Sequence, residues 1–100
     1  MEIKIEQIDD ATIVAITGRI DTANSSEFEK TVAPVIQGNM KNVVLDCSNL
    51  SYISSSGLRI FLGMQKAALS KKGHLTIHNL NDELMKIFVM TGFSKMFVFE

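Results

Sequence analysis

The sequence predicts an α/β domain, a mixed β-sheet of four to five strands with three to four helices packed on it. Three observations carry that expectation. From residue 11 onward, short strand-like runs alternate with helix-length amphipathic segments, the order expected of parallel strands joined by crossover helices. The first two strand-like runs are separated only by Asp9 and Asp10, so they pair as an antiparallel hairpin and make the sheet mixed. The chain has 100 residues, 46% of them hydrophobic, enough for one core and too few for two, so residues 1–100 are read as one domain.

In residues 2–8, Ile3 and Ile5 alternate with Glu2, Lys4 and Glu6, the pattern of a half-exposed strand. Residues 11–17 are apolar on both faces, as in a central strand, and Gly18 is expected to end it. A polar loop follows from Asp21 to Ser26. Asn24 and Glu27 stand at the spacing of a variant capping box. The helix they open places Phe28, Val32, Val35 and Ile36 on one face, with a kink expected at Pro34 and closure at Gly38–Asn39. Residues 41–46 predict a short buried strand leading into a polar loop that ends in Ser54, Ser55, Ser56 and Gly57. A second helix over about 55–72 is expected to bury Leu58, Phe61, Leu62 and Leu69, with Gly73 as its cap. Residues 74–78 are expected to form another strand. A third helix opens near Asn81, carries Leu84, Ile87, Phe88 and Thr91 on one face, and ends at Gly92; Met96 to Phe99 make the last strand.

Composition excludes several classes of function. The net charge is −1 and the longest basic run is Lys71–Lys72, which argues against nucleic acid as a partner. That pair suits a solvated helix C-terminus. Cys47 has no second cysteine to pair with and is read as a small core residue. Met1 to Glu6 lacks the apolar run of a signal peptide, and no stretch reaches the roughly 20 apolar residues that cross a bilayer. A cytoplasmic protein with no membrane segment is the expectation.

The polar loop carries the chemistry. Serine hydroxyls at a helix N-terminus cap its free amides, and the same amides favour an added negative charge. Three serines there are therefore either plain caps or a point where a phosphate can be added without breaking the fold. The run Asp46-Cys47-Ser48-Asn49-Leu50-Ser51-Tyr52-Ile53-Ser54-Ser55-Ser56-Gly57-Leu58 resembles the signature of the STAS domain, the family of bacterial anti-sigma factor antagonists. Gly18-Arg19-Ile20-Asp21 is similar to that family's segment after its second strand. The stretch from Leu84 to Phe93 is similar to its closing helix. One position departs: the family's aspartate before the phosphoacceptor is Ser54 here.

The resemblance implies a single STAS domain that antagonises an anti-sigma factor in a partner-switching circuit. It implies phosphorylation at Ser55, with Ser54 and Ser56 as neighbouring alternatives. The implied partners are an anti-sigma factor that is also a serine kinase of the GHKL type, and a PP2C-type phosphatase. Asp21 is then part of the partner-binding surface, or else simply a turn former. The alternative from another class is a constitutive STAS scaffold, a subunit of a transport or sensory assembly that is never phosphorylated; Ser54 favours it.

Ser56, Arg59, Gly63 and Lys66 recur at three- and four-residue steps and share one helix face. Glycine inside a helix costs about 1 kcal/mol against alanine, so Gly63 implies a close approach, by a partner or by another element of the same chain. The partner-binding set is accordingly Asp21, Ser54, Ser56, Arg59, Gly63 and Lys66. His74 and His78 share a strand face without a neighbouring carboxylate or cysteine in sequence, so no metal and no cofactor are expected. Met40, Met64, Met85, Met90 and Met96 are read mostly as core filler, with Met64 a candidate adaptable contact. No nucleophile elbow, P-loop or dinucleotide fingerprint is present, which excludes an enzyme on this reading.

Overall fold

A computed structural model describes residues 1–39 and 41–100. Five strands form one sheet in the order β1-β2-β3-β4-β5, the order in which the chain makes them. β1 (Glu2–Ile8) pairs antiparallel with β2 (Ala11–Ile20); β3 (Asn42–Ile53), β4 (Leu75–His78) and β5 (Val98–Phe99) each run parallel to the strand before. The helices α1 (Ser25–Gln37), α2 (Ser55–Ser70) and α3 (Asp82–Met90) make the crossovers. Parallel crossovers are right-handed, and here the strand order never reverses, so all three helices fall on one face. Thr12, Val14 and Ile16 are buried beneath them, whereas Ala11, Ile13 and Ala15 on the opposite face are only half-buried.

The hairpin forms as expected, with Ile3 opposite Ile16 and Ile5 opposite Val14. Asp9 takes a left-handed backbone (φ 56°), which a short polar side chain tolerates. Under the helices, rings connect successive elements: Phe28 of α1 lies 5.9 Å from Phe61 of α2, and Phe61 lies 6.4 Å from Phe88 of α3. Phe88 meets Phe97 and Phe99 edge-on at 5.8 and 5.5 Å, which seats the short β5.

Several expectations are corrected. β2 does not end at Gly18. The strand bulges there, with φ 97° and register shifts on both sides, and continues to a buried Ile20 that pairs with Ile53. The polar run after Asp46 is likewise strand rather than loop, because β3 follows the bulged half of β2 as far as Ile53 and buries Cys47, Leu50 and Ile53. α1 runs unbroken through Pro34, which lies on the solvent side, where water can satisfy the carbonyl it leaves unpaired. Its expected capping box is absent: the Asn24 side chain makes no cap bond.

On α2 the buried stripe is Leu58, Phe61, Met64, Gln65 and Ala68. Leu62 lies at its edge and Leu69, one position past Ala68, is 56% exposed. The helix ends at Ser70, and Lys72 rather than a glycine takes the left-handed position (φ 63°). The amides of Lys72 and Gly73 close the turn onto the carbonyls of Leu69 and Ala68. Gly73 is needed for a different reason: a Cβ there would collide with the backbone of Lys41. Lys71 is not simply solvated, since its Nζ donates to the Ile36 carbonyl at 2.7 Å.

α3 begins at the Asn81 cap, buries Leu84 and Phe88, and leaves Thr91 exposed before the left-handed Gly92. Met96 belongs to a 3-10 turn (Phe93–Met96), and β5 keeps only two residues. Met90 and Met96 are 84% and 50% exposed, so they are not core; Met64 is buried and offers no surface contact; Met40 lies outside the described residues.

Candidate functional site

The paired ends of β2 and β3 place the site. Ile20 pairs with Ile53, and the Ser54 amide donates to the Ile20 carbonyl at 2.8 Å. Asp21 and Ser54 therefore leave the sheet side by side, one into the loop before α1 and the other directly into α2. Gly57 lets α2 seat this low: a Cβ there would stand 2.8 Å from both Ile20 Cγ2 and Ile53 Cγ1. A side chain larger than hydrogen would have to displace the buried Ile20 and Ile53 side chains.

The three serines differ in their surroundings. Ser54 is buried, 7% exposed, and is the N-cap: its Oγ accepts from the Gly57 amide at 3.2 Å. The Ser54 and Ser56 hydroxyls lie 2.9 Å apart and are bonded to each other. Ser55 is exposed, and its hydroxyl has no hydrogen-bond partner among the described residues. With Gly57 capped and the Leu58 amide bonded to the Ser54 carbonyl, the Ser55 and Ser56 amides have no partner among the described residues, at the positive end of the helix dipole. No acidic residue stands in this first turn.

Asp21 is half-buried and holds its own loop. Its Oδ1 accepts from the Asn24 amide at 3.0 Å, while Asn24 Oδ1 accepts from the Asp21 amide at 2.8 Å. Asn24 Nδ2 also donates to the Arg19 carbonyl. This reciprocal closure occupies the side chain that sequence spacing assigned to a capping box. Beside it, the Arg19 guanidinium stacks 4.4 Å above the Tyr52 ring, across the paired strand ends.

Between the first turns of α1 and α2 lies an open cavity of about 280 Å³, lined by Ser25, Ser26 and Glu29 on one side and by Ser56, Arg59 and Ile60 on the other. The α1 half of this wall, like the Arg19–Tyr52 stack, carried no signal in the sequence, because helix–helix and strand-end neighbours are set by the tertiary packing. Farther along α2, Arg59, Gly63 and Lys66 are all exposed on the same face as Ser56. A Cβ built on Gly63 meets nothing within 4 Å, so no element of this chain approaches it among the described residues.

Other titratable groups serve the fold. Burial and the Asp46 carboxylate push the Cys47 thiol up to about 12. Burial tends to raise Asp46, but hydrogen bonds from Ser48 and Asn79 and the nearby His78 outweigh it and hold the carboxyl below its ordinary value. His78 does have a carboxylate neighbour, contrary to the sequence reading: its Nε2 lies 3.0 Å from Glu100 Oε2, brought there by β5. Among the described residues no three His, Cys, Asp or Glu side chains converge as metal ligands, and no helix is long and apolar enough to cross a membrane.

Comparison with known proteins agrees with this geometry. BtrV of Bordetella bronchiseptica, whose name describes an anti-sigma factor antagonist, is 31% identical over 97 residues, spanning 97% of this chain and 84% of that protein. The anti-sigma-B factor antagonist of Staphylococcus epidermidis is 31% identical over 94 residues, 92% of this chain and 87% of that one. The fold superimposes on the phosphorylated form of the Bacillus cell fate determinant SpoIIAA with a TM-score of 0.75 at 18% identity, covering 99% of this chain and 91% of that one. The family model described as the STAS domain matches residues 2–100, and the chain belongs to that family.

Proposed function

We propose that this protein is an anti-sigma factor antagonist that works by partner switching. In its unphosphorylated form it binds an anti-sigma factor, itself a serine kinase of the GHKL type, through Asp21, Ser56, Arg59, Gly63 and Lys66; Ser54, expected from the sequence to join them, is buried and caps α2 beneath that surface. Transfer of a phosphoryl group from ATP to Ser55 releases it, and a PP2C-type phosphatase restores it. The protein acts by binding and not by catalysis. The observation that carries the reading is the exposed, unbonded Ser55 hydroxyl between two serines whose hydroxyls are engaged. The names of the two relatives support the partner class.

The physics of the switch follows from position. A phosphate brings about −1.5 to −2 charges, and a helix N-terminus accommodates them, so the effect falls on the interface and spares the fold. Ser55→Asp should fold like the wild type, since a negative charge at this end is favourable by about 0.3–1 kcal/mol. It should bind the anti-sigma factor far more weakly, because desolvating an added charge in an interface costs several kcal/mol. Ser55→Ala should bind well and resist phosphorylation. Calorimetry and intact-mass analysis with the partner kinase and ATP check both. If no serine is modified and Ser55→Asp binds as the wild type does, the chain is a constitutive STAS scaffold, the reading that Ser54 in place of aspartate would favour.

A further inference from the structure

We infer that Arg59 is the internal counter-ion of phosphorylated Ser55, an inference that rests on the switch proposed above. Arg59 stands four residues after Ser55, one helical turn along the same face. Side chains on a helix lean toward its N-terminus, so the guanidinium at 59 reaches back over the first turn. Arg59 lines the same cavity wall as Ser56, the residue beside Ser55. Arg59 is exposed and forms no ion pair among the described residues, in contrast to Arg19, which is stacked on Tyr52. Glu29 faces it across the cavity without coming into ion-pair distance.

The remaining charges point the same way. The first turn of α2 carries no carboxylate, and the capping position is a neutral serine. A phosphate on Ser55 therefore meets two free amides, no like charge in its own turn, and one uncommitted guanidinium able to bind two of its oxygens at once. The pairing stabilises the phosphorylated state and withdraws Arg59 from the partner-binding face. Phosphorylation then changes that face twice, by adding an anion and by cancelling a cation.

The test uses full-length protein carrying phosphoserine at position 55, installed chemically or by an expanded genetic code so that no kinase is needed. Phosphorus NMR titration reads the second ionisation of the phosphate, near pH 6 for a free phosphoserine. In Arg59→Gln the midpoint should lie roughly 0.15–0.4 unit above that of the protein with Arg59 intact. Arg59→Lys should fall between them, and the difference should shrink at high salt. Identical midpoints with Arg59 intact and in the Arg59→Gln variant overturn the pairing while leaving the switch standing. If the partner kinase fails to modify Ser55 although the installed phosphate shows the shift, the switch fails and the pairing stands.

Discussion

Burial and Asp46 keep the Cys47 thiol protonated far into the alkaline range, which has a readable consequence for stability. In the unfolded chain the thiol ionises near its ordinary value of 9.0, whereas in the folded protein it does so only at about 12. Above pH 9 the unfolded state alone loses this proton, so stability falls as pH rises through that window. Urea titrations between about pH 8 and 10.5 should show a steeper loss for the wild type than for Cys47→Ala, and thiol-labelling reagents should react slowly with the native protein. Equal pH slopes would mean that the thiol is not shielded. The burial of Cys47 was legible in the sequence, and so was the place of the serines. Which of the three hydroxyls is free was not, because that depends on a bond of 2.9 Å between Ser54 and Ser56 and on a cap to Gly57. Residue types alone are symmetrical at all three positions.

The three helices were legible from their apolar faces, and the limits of the strands were not. Gly18 and the polar residues 48–52 looked like strand breakers, yet two neighbouring bulges let β2 and β3 run on together with only Leu50 and Ile53 facing inward. A bulge displaces the period of two, so alternation counted along one strand misses it. Two caps were misplaced for a related reason: Asn24 is used by its loop, and the left-handed position after α2 falls to Lys72. Gly63 is the element-scale feature with the clearest test. Its surroundings are open, so Gly63→Gln should fold normally and gain helix propensity, by somewhat less than about 1 kcal/mol. The same change should abolish binding to the anti-sigma factor if the partner lies flat on this face. Calorimetry at wild-type affinity would remove Gly63 from the interface.

For the molecule as a whole, stability is concentrated where Phe28, Phe61 and Phe88 link the three helices over the sheet. Phe61 is fully buried in the middle of that row, and Phe61→Ala should cost about 3–5 kcal/mol. That is a large share of what a domain of this size possesses. An almost unchanged urea midpoint would refute the packing. The ordering of the strands reaches beyond stability. A doubly wound sheet reverses its strand order and opens a ligand crevice at the reversal; this sheet has no reversal. Each strand lies beside its predecessor in the chain, so a growing polypeptide on the ribosome never has to thread a late strand between two that have already paired. The hairpin can close first, β3 and β4 can add in turn, and the two residues of β5 join after them. Stalled nascent chains that stop after α3 should already resist protease across β1 to β3.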